Sequence, residues 1–255
     1  MNQSLVSFLK RMNDATLAID VDAQSFQCRI IRRKTKRFVL KVSPRDGLQC
    51  LCPMRAKERD IYGFIEGNRA WVSGKQSLLK LAGIYATEKD VLPQSMTFGF
   101  DATRFKIDYE NAYRTPRVVS KPGSLIVYSN GSCEKVRSLL KEWIKNYASL
   151  HLGGTLCRLS QEKEMPYASH SFGYAKMRWG SCRRDNAIRL NPLLIFLPQA
   201  IIEHVILHEL SHTIHHNHSP DFWNLLQELD PMTSQHKAYL SDQVKSHTAI
   251  PAFFW

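Results

Sequence analysis

The chain has 255 residues, a net charge of +12 at pH 7, a hydrophobic content of 44% and a charged content of 23%. These values are typical of a globular protein with one large or two small domains, and they exclude a disordered or fibrous chain. No run approaches the roughly 18 consecutive apolar residues of a transmembrane helix, so we expect no membrane span. The positive charge favours an acidic partner, with nucleic acid as one possibility.

The N-terminal residues and the cysteines together predict a cytoplasmic protein. Charged residues occur too early for the apolar core of an export signal. The six cysteines have no framework spacing, so we expect reduced thiols. Leu5, Phe8 and Leu9 have helical spacing and predict a short amphipathic helix. Residues 1–24 are expected to form an N-terminal extension.

Residues 25–130 are predicted to form a β-rich N-terminal subdomain that also contains helices. A helix is expected from residue 55 to about 66, and a second one around Trp71 and Val72. Turn residues and alternating apolar residues predict the strands 26–32, 38–43, 48–53, 95–100, 104–109, 117–120 and 124–128.

Basic residues cluster between Arg29 and Lys41. A solvated, charged hairpin is the favoured interpretation, and a phosphate-binding patch is the alternative. No recognition helix or RNA-binding sequence signature accompanies the cluster. Its members are Arg29, Arg32, Arg33, Lys34, Lys36, Arg37 and Lys41.

Residues 131–245 are predicted to form the catalytic domain. Ser132 can cap a long amphipathic helix that continues to about Leu152 and ends at Gly153-Gly154. Extended segments follow at 168–177, 178–182 and 186–191. The edge of such a strand can pair with an extended peptide substrate. Residues 246–255 are expected to form a tail that is either exposed or docked in a groove, which could belong to the protein itself.

The sequence His208-Glu209-Leu210-Ser211-His212 is an H-E-x-x-H motif. On a helix His208 and His212 lie one turn apart on the same face, so both imidazoles can bind one metal ion. Glu209 lies at the edge of that face and can reach a water molecule on the metal. A catalytic zinc site has three protein ligands and one open position, so a third ligand is required.

His218 is the candidate for the third ligand. Asn217 is predicted to end the helix in a left-handed conformation. Ser219 and Pro220 read as the N-cap and first residue of a new helix. His218 would therefore lie in a tight turn and could fold back toward the metal. Glu203, Asp221 and Glu228 are candidate partners of the ligand imidazoles, and His236 and Tyr239 are candidate oxyanion-stabilising residues.

Several of these segments resemble the YgjP-like metallopeptidase family in their order along the chain. The resemblance spans roughly residues 25–240, with an aromatic residue common in the family at the position of His204. The segments that carry it are Arg178-Trp179-Gly180-Ser181-Cys182, Ile188-Arg189-Leu190-Asn191, Pro198, His208–His212, and Asn217-His218-Ser219 followed by Phe222-Trp223.

The resemblance implies an α+β fold in which a mainly antiparallel β subdomain with helices precedes a zincin-like catalytic domain. It implies Zn2+ held by His208, His212 and His218, with Glu209 as the general base of a zinc metalloendopeptidase that acts on peptide or protein substrates. Metzincins share the ligand spacing but carry Gly where this chain has His215, which argues against them. A nucleic-acid-associated protease of the WLM/SprT type, acting on DNA-bound proteins, is the alternative.

Overall fold

The computed structural model describes residues 14–21, 24–43, 46–75, 79–80, 91–111, 114–175, 178–246 and 250–254. The amphipathic helix predicted around Leu5–Leu9 lies outside these ranges. The chain divides into two compact units, Met1–Glu88 and Lys89–Trp255. The division therefore groups the strands between residues 95 and 128 with the metal-motif helix, whereas the sequence grouped them with the N-terminal residues.

The first unit is built on a four-stranded sheet. Its strands are β1 (Asp14–Val21), β2 (Gln24–Arg33), β3 (Val39–Ser43) and β4 (Gly47–Pro53), in the order β1-β2-β4-β3. The helices α1 (Glu58–Glu66) and α2 (Arg69–Ser73) follow. Alternate residues of β4 are buried, because successive side chains of a strand point to opposite faces. They form a core with the buried face of α1, and the members include Leu48, Cys50, Cys52, Ile61 and Ile65.

Strand β1 was not predicted, since residues 1–24 were assigned to an extension. In the structure it pairs with β2 in antiparallel register, from Asp14 opposite Ile31 to Val21 opposite Gln24. Its inward side chain Ile19 is buried. Apolar residues at Leu17, Ile19 and Val21 follow the period of two that is typical of a strand, so the sequence carried this signal and the prediction missed it.

The second unit begins with a four-stranded sheet that has the same strand order and pairing as the sheet of the first unit. Its strands are β5 (Ser95–Thr97), β6 (Arg104–Glu110), β7 (Arg117–Lys121) and β8 (Ser124–Tyr128), in the order β5-β6-β8-β7. In both sheets two antiparallel pairs are joined by a parallel pair in the middle. All four predicted strands of this segment are present.

The long helix α3 (Cys133–Glu162) contacts the second sheet. The prediction that it ends at Gly153-Gly154 is wrong. The backbone at Gly153 lies against the segment that contains His170 and Phe172, and a Cβ there would be 3.5 Å from His170 and 3.7 Å from Phe172. Glycine in a helix costs about 1 kcal/mol relative to alanine. Burial of Leu152, Leu156 and Leu159 on the same helix outweighs that cost.

The H-E-x-x-H motif lies among a three-stranded sheet and three helices. The sheet order is β10-β11-β9, with β9 (Ser169–Phe172), β10 (Gly180–Cys182) and β11 (Ala187–Leu190). The helices are α4 (Gln199–Ser211), α5 (Pro220–Leu229) and α6 (Thr233–Ser246). The predicted α+β fold class is thus confirmed. Each helix within the described residues is too short or too polar to traverse a lipid bilayer.

The C-terminal segment is docked and not exposed. Ile250, Phe253 and Phe254 are buried in the main core of the second unit. Arg137 of α3 donates a hydrogen bond from Nε to the carbonyl oxygen of Phe253 at 2.7 Å. The ring of Phe254 packs against Phe196 at 5.7 Å between centroids. Of the two interpretations of the tail, the structure supports docking on the protein itself.

Replacing Phe254 by Ala tests this docking. Because the ring is fully buried, we expect the variant to lose about 3–5 kcal/mol of unfolding free energy, as for other large-to-small core changes. Leu150→Ala on α3 is the control, since Leu150 is 75% exposed. Urea unfolding monitored by circular dichroism measures both. Equal stability of the two variants would mean that the tail does not pack in the core.

Candidate metal centre

Helix α4 is apolar on nearly all sides. Its buried residues include Ile201, Ile202, Val205, Ile206 and Leu210. A helix that is apolar all around is stable only inside a core. The chemically active residues lie near its C-terminal end, where the helix ends at Ser211 and His212 is the C-cap. The core therefore fixes the position of this helix end.

The structure brings His208, His212 and His218 together. One nitrogen atom from each ring lies within 4.8 Å of the other two. The Nε2 atoms of His208 and His218 are 3.1 Å apart. Two nitrogens bound to one tetrahedral zinc at about 2.0–2.1 Å are roughly 3.3 Å apart. The spacing of these donors therefore fits a shared metal ion.

The protonation of the imidazoles also suits metal binding. Burial and the neighbouring His212 and His218 lower the pKa of His208 to about 3, and burial lowers the pKa of His212. Nδ1 of His212 lies 2.9 Å from the carbonyl oxygen of His215. Since a carbonyl only accepts, Nδ1 carries the proton and Nε2 keeps its lone pair for a metal.

Aromatic side chains of α5 hold the three imidazoles in place. Phe222 is fully buried and stacks on His212 at 4.5 Å between ring centroids, while Trp223 stacks on His218 at 5.4 Å. The hydroxyl of Ser219 caps α5 by accepting from the N–H of Phe222, as predicted. The prediction of a left-handed Asn217 is wrong. The helix ends at Ser211, and Asn217 instead accepts from the Ser219 N–H at 3.2 Å.

Glu209 points away from solvent and toward strand β10. The residue is 5% exposed, and its Oε2 has no hydrogen-bond partner among the described residues. A Cβ on Gly180 would be 2.6 Å from Oε1 and 2.7 Å from Cγ of Glu209. Only glycine therefore leaves room for the carboxyl group beside this strand.

The electrostatics of Glu209 suit a proton acceptor. Burial raises its pKa to about 8, while the Arg178 guanidinium and a hydrogen bond from the Cys182 backbone act in the opposite direction. A divalent cation nearby would favour the charged carboxylate further. The sequence did not identify Arg178 as a charged neighbour of Glu209, because the distance between the two residues depends on the fold.

Glu209 and His208 share a small cavity. It has a volume of about 200 Å³, and its wall also includes Arg178, Gly180 and His204. A buried carboxyl group with an unpaired oxygen next to imidazole donors can hold a water molecule that hydrogen-bonds to it. The cavity therefore brings a carboxyl group and an imidazole to one space that can hold water.

Comparison with known families identifies the family to which this chain belongs. The sequence model of the YgjP-like metallopeptidase domain matches residues 36–243. The chain belongs to this family. Neither the curated proteins nor the solved structures gave a match. The match confirms the family resemblance found in the sequence. Membership of this family implies a peptidase that uses a metal, usually zinc.

The YgjP-like domain of this chain contains a second cluster beside the first. Asp230 Oδ2 accepts hydrogen bonds from Nδ1 of His204 at 2.6 Å and from Nδ1 of His236 at 2.9 Å. These separations are typical of charge-assisted hydrogen bonds and are shorter than the roughly 3.3 Å between two zinc ligands. The cluster is therefore a hydrogen-bonded triad that links α4, the end of α5 and α6.

The carboxylates expected to support the ligands have other roles. Glu203 accepts hydrogen bonds from Arg158 and Gln199, and Asp221 and Glu228 are exposed. No hydrogen bond joins these three residues to a ligand imidazole within the described parts of the chain. The His215 carbonyl and the α5 aromatics take the supporting role, which sequence spacing does not reveal.

Asp230→Asn tests the triad. Burial raises the pKa of Asp230, but hydrogen bonds from His236 and His204 outweigh this effect and leave the pKa below its usual value. The carboxylate therefore adds stability above its unfolded pKa of about 3.9, and this stability is lost as the pH falls through the lower folded value. At pH 7 we expect the variant to lose about 1–3 kcal/mol.

Urea unfolding of the metal-free protein measures this change. Glu228→Gln is the matched control, because Glu228 is exposed on α5. We expect the control to lie within about 0.5 kcal/mol of the parent. A loss in Asp230→Asn no larger than in the control would contradict the triad.

Proposed function

We propose that this protein is a zinc-dependent metalloendopeptidase in which His208, His212 and His218 hold the metal and Glu209 is the general base. One observation carries the proposal. Three imidazole donors converge within 4.8 Å. Glu209, whose buried Oε2 has no hydrogen-bond partner among the described residues, lines one cavity with His208. A structural zinc site has no use for such a carboxyl group and usually has a fourth protein ligand.

A bound zinc ion would supply Lewis-acid chemistry, acidifying a water molecule and polarising a peptide carbonyl group. A side chain of the protein carries out the proton transfers. Glu209 takes the proton from the attacking water and delivers it to the leaving nitrogen. Burial raises the pKa of this carboxyl group, and a cation bound nearby would lower it again toward the charged form that accepts a proton.

Strand β10 is suited to bind the substrate. It is an edge strand of its sheet, since the order is β10-β11-β9. An extended peptide can add to such an edge through backbone hydrogen bonds. The backbone of Cys182 already hydrogen-bonds to Glu209, so an added peptide would lie beside the carboxyl group. The thiol of Cys182 has its pKa raised to about 11 by burial and nearby carboxylates, which makes it a poor nucleophile.

The nucleic-acid-associated protease remains the alternative. It rests on the basic cluster between Arg29 and Lys41, of which Arg32 is already engaged with the carbonyl oxygens of Met54 and Ala56. A salt titration of duplex DNA binding separates the two functions. A steep loss of affinity with salt would favour the alternative, because released counterions dominate phosphate binding.

Glu209→Gln tests the proposed mechanism. The variant keeps the three imidazoles, so we expect it to bind one zinc per chain like the parent. Without a proton acceptor, cleavage of a peptide library should fall by about 100-fold or more. Glu203→Gln on the same helix is the control and should retain parental activity. Full activity of the Glu209 variant would refute the mechanism.

Gly180→Ala tests the fit between β10 and Glu209. The added methyl group would meet the Glu209 side chain, so the carboxyl group must move. A displacement of about 1 Å in a catalytic group lowers the rate by roughly 100-fold, while zinc content should stay unchanged. Gly154→Ala on α3 is the control, since a Cβ there meets nothing within 4 Å. Comparable kcat/KM values for the two variants would contradict the fit.

A further inference from the structure

A second and larger cavity lies beside the proposed reaction centre. It has a volume of about 500 Å³ and is lined by the three-stranded sheet and the loop that precedes β10. Arg178 and Gly180 belong to the walls of both cavities. The two cavities therefore adjoin at this segment of the chain. A residue within one or two positions of the reacting bond would be near enough to place its side chain in the larger cavity, because consecutive residues of an extended peptide are about 3.3 Å apart.

The strand register places Arg189 between two serine residues. Arg189 of β11 is opposite Ser181 of β10 and opposite Ser171 of β9. Residues in such a cross-strand row project from the same face with their Cβ atoms about 5 Å apart. All three residues line the larger cavity. The row therefore presents hydrogen-bond donors side by side.

The backbone accommodates the Arg189 side chain in a defined position. A Cβ on Gly173 would overlap Nε, Cζ and Nη2 of Arg189. The guanidinium group thus lies directly over a residue without a side chain. Asn191 fixes the adjoining loop by donating to the carbonyl oxygens of Ala175 at 2.9 Å and Arg178 at 3.1 Å. Both edges of the cavity are held by specific contacts.

The charge of the cavity is positive. Its lining residues include Arg178, Arg183 and Arg189 and no acidic residue. Arg183 is neutralised by Asp185 at 2.9 Å. Within the described residues, no ion pair and no hydrogen bond engages the guanidinium of Arg189 or the hydroxyls of Ser171 and Ser181. These donors are therefore available to a ligand.

We propose that this cavity is a substrate subsite for an acidic side chain close to the cleaved bond, an inference that rests on the proposed peptidase function. Arg189 binds the oxyanion group with Ser171 and Ser181 beside it, and Arg178 adds positive charge at the side of the reaction centre. Guanidinium and hydroxyl donors suit a carboxylate or a phosphate group. The substrate class is thus a peptide with Asp, Glu or a phosphorylated residue near the cleaved bond.

Cleavage of matched peptides by the zinc-loaded full-length protein tests the subsite. Glu, phosphoserine, Gln and Lys are placed in turn at each position flanking the cleaved bond. A hydrogen-bonded charge contributes about 1.5–3 kcal/mol, so we expect kcat/KM to favour an acidic residue over Gln by about 10-fold or more at one position. The stronger of the Glu and phosphoserine peptides identifies the anion.

Two variants of Arg189 make the assignment specific. Arg189→Gln should reduce the preference to less than about 2-fold, and Arg189→Glu should shift it toward the Lys peptide. Arg184→Gln is the matched control, because Arg184 is an exposed neighbour that does not line the cavity. It should keep the parental preference. Ser171→Ala provides a milder change and should weaken the preference without removing it.

A binding measurement separates this proposal from the proposed function. Fluorescence anisotropy with the Glu209→Gln protein compares affinities for the acidic and Gln peptides without cleavage. Tighter binding of an acidic peptide that disappears in the additional Arg189→Gln variant supports the subsite even when the parent cleaves nothing. Cleavage or binding without preference for either acidic peptide, unchanged by Arg189→Gln, overturns the subsite and leaves the peptidase proposal standing.

Discussion

The contact between the Glu209 carboxyl group and the backbone of β10 constrains the rest of the site. A carboxyl group on a buried helix normally costs several kcal/mol in desolvation unless a partner is supplied. Here the Cys182 backbone provides one hydrogen bond, and the missing side chain of Gly180 provides the space. One oxygen remains unpaired among the described residues. That arrangement lowers stability locally and is consistent with the proposed role of Glu209 as a proton acceptor.

Interactions between helices fix the three clustered imidazoles. His208 and His212 come from the end of α4, whereas His218 comes from the segment before α5. Stacking by Phe222 and Trp223 orients the rings. The hydrogen bonds of Asp230 to His204 and His236 join α4 to the end of α5 and to α6. A shift of one helix against another would therefore disturb both the ligands and the triad, which couples the core to the centre.

Two glycines in and beside the three-stranded sheet leave space for the side chains of other residues. Gly180 on β10 makes room for Glu209, and Gly173 after β9 makes room for Arg189. One glycine thus admits the proposed catalytic base and the other admits a guanidinium group in the neighbouring cavity. Both act through close approach, because neither Gly180 nor Gly173 has a positive φ angle. A single small sheet can in this way serve catalysis on one side and recognition on the other.

The sequence alone was sufficient to predict the features that depend on local backbone geometry. The spacing of His208 and His212, the Ser219 cap and most strands follow from periods of 3.6 and 2 residues. The passage of α3 through Gly153, the early end of α4 and the docking of Phe254 depended on tertiary structure. So did the partners of His204 and Glu209 and the position of Arg189 over Gly173. Long-range contacts leave no local periodicity, because the residues that meet are far apart in the chain and only the assembled core brings them together.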